Sequence, residues 1–347
     1  MPSPGYFYII LNMEGIIEKI KASGLRGRGG AGFPTGIKWS AVAEALADER
    51  IKGNKNAKAY VVCNGSEGEP GVSKDDFILE NYPEGIIAGI KIAMETIGAK
   101  EAFLVLRHDL FEKYADRLKE IIGGDNIALF EKRGGYLSGE ESTMLESIES
   151  KERLEPRSKP PYPTENGLWG CPTLVNNIET LYSVSLIAKE EYKQERFFSI
   201  SGDVKKPGVF RFPEYWPMEK VLHKTGNFPE EKFFVQSGGG ASGKIFLSDE
   251  LNQEVSGMGA MVVYDLSKTD PKMLMKKWID FYYKENCGKC VPCREGVYRI
   301  REMLEKDEID YETMKEVLFN LRESSFCPLG KVVAVPFESF LEKIIKK

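Results

Sequence analysis

The sequence predicts an α/β protein with a parallel-sheet domain over residues 1–195, a small β-rich module over 196–270 and a C-terminal helical bundle over 271–347. Three observations carry this reading. Between Tyr60 and Phe130, apolar runs of strand length alternate with helical periods, the pattern of a parallel sheet with crossover helices. Between Phe197 and Leu266 the runs shorten and turn signals gather, including Gly202-Asp203, Pro207-Gly208 and Gly238-Gly-Gly240. From Pro271 onward helical periods return.

The elements follow in order. Ile16 to Ser23 has the spacing of a short amphipathic helix, Gly24 to Gly36 is a glycine-dense loop, and Lys38 to Ala47 is helical again. The alternation then predicts a strand at Tyr60–Cys63, a helix at Glu84–Ile97, a strand at Ala102–Leu106, a helix at Leu110–Ile122 and a strand at Ile127–Phe130. Glu155 to Thr164 is rich in proline and lysine and reads as a surface loop, and a helix over Asn176–Lys189 closes the domain. One helical segment, Met218–Lys224, interrupts the β-rich module. Four helices fill the bundle, at Lys272–Glu285, Arg294–Glu305, Tyr311–Arg322 and Phe337–Ile345.

Length and charge remove several classes. The chain has 347 residues, enough for two or three domains, each with its own core. A net charge of -5 gives no basic footprint for nucleic acid. The apolar stretch Tyr6–Leu11 lacks a basic lead, and no apolar run approaches the roughly 18 residues of a membrane span. A soluble protein is expected. The two histidines, His108 and His223, stand in unrelated contexts, so a Ser-His-Asp or Cys-His hydrolase is hard to assemble, and both read as surface or packing residues.

The cysteines carry the strongest chemical signal. Cys287, Cys290 and Cys293 are separated by two residues each, and Cys327 stands directly before Pro328. Three closely spaced thiolates can wrap one face of a cubane iron–sulfur cluster while a fourth arrives from elsewhere in the fold. A structural zinc site is the alternative, although such sites usually supply ligands as two separated pairs, often with histidine. Six cysteines in a chain of this length do not make a disulfide-dense scaffold, so a reducing compartment is expected.

Four glycine-rich patches suggest binding. Gly27-Arg-Gly-Gly-Ala-Gly32 matches G-x-G-x-x-G but follows a helix, not a strand, and it lacks the Gly-Lys-Ser/Thr ending of a phosphate loop. Its glycines still let backbone N–H groups approach an anion or a ring plane, with Arg28 and Lys38 adding positive charge. Asn64-Gly-Ser-Glu67-Gly-Glu69-Pro-Gly71 follows the first strand, where ligands bind in parallel sheets; its carboxylates suit ribose hydroxyls, and an ordinary acidic turn is the alternative. Gly135 to Ser142 sets Glu140 and Glu141 after a glycine turn and before a helix. Gly170 to Thr180 brings Asn176 and Asn177, amides that suit ring edges or phosphate and can equally cap a helix.

Together these patches carry a resemblance. GRGGAGFPTGIKW (Gly27 to Trp39), CNGSEGEPG (Cys63 to Gly71), YLSGEES (Tyr136 to Ser142), KPPYP (Lys159 to Pro163), GLWGCPTLVNNIETL (Gly167 to Leu181) and CGKCVPCREG (Cys287 to Gly296) occur in one order along nearly the whole chain. In this the sequence closely resembles the NADH-binding flavoprotein subunit of respiratory complex I and the related flavin subunits of NAD-linked hydrogenases and formate dehydrogenases. The resemblance implies a noncovalent FMN cradled by Gly27, Gly29, Lys38, Asn64, Glu67, Gly139, Glu140, Asn176 and Asn177. It implies Phe33 and Tyr162 as aromatics stacking on the adenine of NADH, with Lys159, Glu69 and Glu141 as polar neighbours, the two glutamates at the catalytic centre. It implies a 4Fe–4S cluster on Cys287, Cys290, Cys293 and Cys327, and a ubiquitin-like β-grasp module in the middle.

The implied activity is NADH dehydrogenation, with electrons passed singly to a thioredoxin-like 2Fe–2S subunit and further iron–sulfur subunits, in the cytoplasm or at a membrane through those partners. Ser66 departs from the family's usual aspartate and Ala41 from its usual aromatic. Two further readings stay open: a flavin subunit reducing NAD(P) in a hydrogenase, formate dehydrogenase or bifurcating complex, and a relay or scaffold that has lost nucleotide binding.

Overall fold

The computed structural model describes residues 15–54 and 57–346; the stretch Tyr6–Leu11 lies outside them. The chain divides into two compact units, one made of residues up to Glu67, Lys74–Gly134 and Ser138–Glu195, the other of Gly68–Ser73, Gly135–Leu137 and Arg196–Lys347.

The first unit is built on four strands, β1 (Tyr60–Gly65), β2 (Glu101–Leu106), β3 (Ile127–Glu131) and β4 (Thr173–Asn177), in the order β3-β2-β1-β4. Every pairing is parallel, and the register sets Asn64 opposite Asn177 and Cys63 opposite Asn176. The near-continuous burial of β1, β2 and β4 explains their unbroken apolar runs, since a parallel sheet is covered on both faces. Its helices are α1 (15–22), α2 (Thr35–Ile51), α3 (Lys74–Asn81), α4 (Pro83–Ile97), α5 (His108–Ile122), α6 (Glu141–Ile148) and α7 (Ile178–Ala188). Helix α4 starts on Pro83 at its first turn and stops on Gly98 in the left-handed region, φ 69°. It runs against α7 so closely that a Cβ on Gly89 would fall 2.0 Å from the Leu181 carbonyl oxygen.

Two differences from the sequence expectation bear on the site. The predicted helix at 176–189 starts at Ile178, because Thr173-Leu-Val175 extends a buried ladder beside β1 and carries both asparagines into β4. Asn177 then caps α7, its Oδ1 accepting from the Glu179 N–H at 2.9 Å. Helix α3 was not expected, being short and rich in charged residues, whereas α6 is the helix expected after the Gly135–Ser142 turn.

The second unit holds a mixed five-stranded sheet of β5 (Glu195–Gly202), β6 (Gly208–Pro213), β7 (Phe233–Ser237), β8 (Lys244–Leu247) and β9 (Ala260–Asp265), ordered β6-β5-β9-β7-β8. Helix α8 (Met218–Thr225) contributes Met218, Val221 and Leu222 to a cluster with Phe198, Val235 and Met261. The strand period of two sends Phe234 and Ile245 into another cluster, with Trp278, Tyr282, Phe337 and Phe340 of the helical region. That region comprises α9 (Pro271–Glu285), α10 (Val291–Glu305), α11 (Tyr311–Ser324), α12 (Pro328–Val332) and α13 (Ala334–Phe340). Asp270 and Asp310 cap α9 and α11, accepting from Met273 and Thr313 at 3.0 and 3.1 Å. The fold is therefore α/β, with a parallel sheet and a helical C-terminal region.

No helix among the described residues is long and apolar enough to cross a membrane. His108 is exposed beside Glu131, and His223 stacks on Phe228 with ring centroids 4.0 Å apart.

Candidate functional site

The winding of the first sheet selects one crevice. After β1 the chain moves outward through β2 and β3, then returns to place β4 on the opposite side of β1. Ligands of open parallel sheets bind beyond the carboxyl ends of the strands at such a reversal. Asn64 and Asn177 stand there side by side, Asn177 Nδ2 donating to the Asn64 carbonyl at 3.2 Å. Asn64 Nδ2 donates to the Gly139 carbonyl at 3.0 Å, and its Oδ1 accepts from Ser66 N–H at 3.0 Å and Ser66 Oγ at 2.7 Å. Ser66 thus orients the Asn64 amide.

The glycine loop reaches the same place. A Cβ on Gly29 would meet Asn177 Cβ at 3.4 Å, so the bare backbone lies against the end of β4. The loop is pinned by Gly27 N–H to the Phe33 carbonyl at 2.9 Å and Arg28 N–H to Thr180 Oγ1 at 3.0 Å. Gly30 and Gly32 take φ of 112° and 62°, where a side chain would be strained. The Arg28 side chain, expected to offer charge to a phosphate, is instead buried and reaches the Tyr192 hydroxyl at 3.2 Å. Of the two adjacent amides only Asn177 joins Asn64. Asn176 points to the other face of β4, its Oδ1 accepting from Trp39 Nε1 at 2.8 Å.

Four charged side chains form an alternating chain beside these elements. Lys38 Nζ lies 2.6 Å from Glu141 Oε2, Lys159 Nζ lies 3.4 Å from Glu141 Oε1, and Lys159 Nζ lies 2.7 Å from Glu140 Oε1. Burial alone would push the Glu141 carboxyl up, but Lys38 and Lys159 hold it below the usual range. Burial likewise opposes the charge on Lys159, and Glu140 and Glu141 more than offset it. Glu140 also caps α6 by accepting from Thr143 N–H at 2.9 Å. Phe33 and Tyr162 stay 53% and 51% exposed, leaving ring surface free for stacking.

Beneath the ends of β1 and β4 lies a cluster that sequence reasoning missed. Lys74 is 1% exposed, with Glu67 Oε1 at 3.4 Å, Glu179 Oε2 at 3.8 Å, Asn177 Oδ1 at 3.3 Å and Asp75 in close contact. Asn177 Nδ2 also reaches Asp75 Oδ2 at 3.2 Å, and the Asp75 N–H donates to Glu67 Oε2 at 3.1 Å. Burial, then repulsion from Asp75, pushes the Glu67 carboxyl up, against the pull of the Lys74 ammonium. Burial works against the Lys74 ammonium, yet Asp75, Glu67 and Glu179 hold it charged. Glu67 and Asn177 were expected at the flavin and Glu179 lies within the quoted GLWGCPTLVNNIETL motif, so Lys74 and Asp75 are the members that no motif marked.

Glu69 belongs to the second unit, where its acceptor positions are engaged. Oε1 accepts from Ala241 N–H at 2.9 Å, Ser242 N–H at 2.8 Å and Ser242 Oγ at 2.9 Å, and Oε2 accepts from Tyr136 Oη at 2.6 Å. Consecutive backbone amides after a glycine run are a natural anion nest. In this arrangement the carboxylate anchors its own loop.

The six cysteines are all free thiols. Cys287 lies between α9 and α10, Cys290 caps α10, Cys293 sits in its first turn and Cys327 caps α12. Burial, then the charges of Cys290, Cys327 and Cys287, pushes Cys293 up to about 12. Phe326 N–H lies 3.5 Å from Cys290 Sγ, and a Cβ on Gly330 would come within 3.1 Å of Cys293 Cβ, so α12 and α10 meet closely here. Among the described residues no three His, Cys, Asp or Glu side chains stand at the spacing of one shared metal ion. An all-thiol donor set suits a soft metal centre.

Comparison with known proteins separates the remaining readings. The model of the Nuo51 FMN-binding domain matches residues 20–186, and that of the NADH-ubiquinone oxidoreductase-F iron–sulfur binding region matches 273–346. The chain is 36% identical to the F subunit of NADH-quinone oxidoreductase from Aquifex aeolicus, over 96% of this chain and 85% of that protein. It is 32% identical to the NAD-reducing hydrogenase HoxS subunit alpha of Cupriavidus necator, over 96% of this chain but 60% of that one. A crystal structure of an NAD+-reducing NiFe-hydrogenase in the H2-reduced state superposes with TM-score 0.85 at 30% identity, covering 96% of this chain and 62% of that one. The chain thus spans about three fifths of the hydrogenase chains that it matches. The second matching model decides the cysteine site in favour of iron–sulfur over zinc.

Proposed function

This chain belongs to the family of NADH-quinone oxidoreductase F subunits, with its FMN-binding domain and iron–sulfur region, and on that premise we propose that it oxidises NADH and feeds electrons one at a time to iron–sulfur partner subunits. FMN, when bound, supplies a centre that accepts hydride and gives electrons up singly. The observation that carries the reading is the meeting of the Gly27–Gly29 loop, Asn64 and Asn177 at the sheet's reversal, beside the Lys38–Glu141–Lys159–Glu140 chain.

In this proposal Gly27, Gly29, Lys38, Asn64, Glu67, Gly139, Glu140 and Asn177 hold the flavin, while Asn176, expected among them, faces Trp39 on the other side of β4 and braces the strand end instead. Phe33 and Tyr162 take the adenine of NADH, while Lys159 and Glu141 orient the rest; Glu69, expected beside them, has both oxygens engaged by Ala241, Ser242 and Tyr136 and holds its own loop instead. Hydride transfer needs alignment more than proton movement, and a charged chain cross-linked by two lysines and two glutamates holds its members in place. Cys287, Cys290, Cys293 and Cys327 hold the 4Fe–4S cluster. The three-part division at 195/196 and 270/271, a thioredoxin-like 2Fe–2S partner and a cytoplasmic setting belong to the same proposal. The likeness to HoxS favours a second direction of flow, toward NAD+ reduction.

Anaerobic addition of NADH to the FMN- and iron-loaded protein should bleach the flavin absorbance, with NADPH much weaker. No bleaching with FMN demonstrably bound would favour a relay. Glu141→Ala should raise the NADH concentration needed for half-bleaching by about tenfold, the equivalent of about 1.4 kcal/mol, while FMN stays bound. Loss of FMN instead would move Glu141 to the flavin.

A further inference from the structure

We propose that Lys74 and Glu179, buried under the carboxyl ends of β1 and β4, are positioning residues that tune the electron affinity of the flavin site through the charge of their cluster. This rests on the flavin reading above. Three carboxyl groups, Glu67, Asp75 and Glu179, surround a single ammonium, and all are at most 8% exposed. The same ammonium touches Glu67 Oε1 at 3.4 Å and Asn177 Oδ1 at 3.3 Å, two side chains assigned to the flavin, so one residue ties the β1 loop to the end of β4.

A purely structural role would be met as well by apolar packing, since a buried ion pair is weak support for stability. Here the acidic groups outnumber their partner, and they are shielded from the solvent ions that would screen them. Hydride arrival adds negative charge at the site. A cluster with surplus carboxylates opposes that charge, and its lysine moderates the opposition. Each charged member therefore has a signed effect on how readily the site accepts electrons.

The test uses the full chain loaded with FMN and iron, poised with redox dyes and no nucleotide, reading the flavin midpoint potential and the FMN content. Glu179→Gln removes one negative charge at constant shape and should shift the midpoint upward. Lys74→Met removes the positive charge; it should shift the midpoint downward and weaken FMN retention by about tenfold or more. Shifts of the same sign, or unchanged midpoints in folded variants, overturn the proposal. Should Lys74→Met fail to fold, Glu179→Gln decides alone, an unmoved midpoint counting against the inference. A parent protein that retains no FMN would bring down the flavin reading and the inference with it, whereas bound FMN with unmoved midpoints would leave the reading standing.

Discussion

Cys293→Ser is expected to abolish the iron–sulfur signals of the protein, with iron content falling and the low-temperature resonance of the reduced cluster disappearing, while the flavin remains reducible by NADH. Cys293 is the most enclosed of the set, in the first turn of α10 and against Gly330 of α12. Metal ligation needs the thiolate, so binding of the cluster displaces the Cys293 proton. Serine keeps the size but gives a poor ligand for iron. Stoichiometric iron in the variant would show that a different set of ligands holds the metal.

The second large effect is on folding. Gly89→Ala, a change that stabilises an exposed helix by about 1 kcal/mol, is expected to destabilise this protein by about 3 kcal/mol or more. The new methyl would lie 2.0 Å from the Leu181 carbonyl oxygen and 2.5 Å from its carbonyl carbon, both rigid backbone of α7. Separating α4 from α7 to admit it would loosen the support of β1 and β4 and with it the Asn64–Asn177 pair. Gly124→Ala is the control, since nothing lies within 4 Å of a Cβ there, and its denaturation midpoint should match the parent's. Equal midpoints for both variants would mean that the helices move apart without cost.

Much of the architecture was legible because burial on both sheet faces leaves a plain trace. Tyr60-Val-Val-Cys63 and Ala102–Leu106 are unbroken apolar runs, and helical spacing at Glu84–Ile97 and Leu110–Ile122 marked the crossovers. The fourth strand was not legible, since Thr173–Asn177 ends in two asparagines that read equally well as a helix start. In the bundle, the predicted helix Phe337–Ile345 starts earlier, at Ala334 of α13, and continues in wider turns over Leu341–Ile345, and the short α12 was missed; Pro328 begins α12 immediately after Cys327.

At the site, the resemblance supplied Lys38, Glu140, Glu141 and Lys159, and the structure joins these four in one chain of ion pairs. Lys74 and Asp75 stayed hidden for a physical reason. In a polar run such as Ser73-Lys-Asp-Asp76, nothing local tells an exposed turn from a buried, mutually compensated ion cluster.

The parallel register that sets Asn64 opposite Asn177 limits how this gene can drift. Successive residues of a strand face opposite sides of the sheet, so losing or gaining one residue inside β1 or β4 would exchange the two faces. Asn176 would then come to the crevice and Asn177 to Trp39, and both hydrogen-bond sets would be lost together. Insertions and deletions among descendants should therefore fall in the connecting segments, while the two strands change by substitution alone. A substitution disturbs one side chain at a time, whereas a one-residue slip disturbs every side chain of the ladder at once.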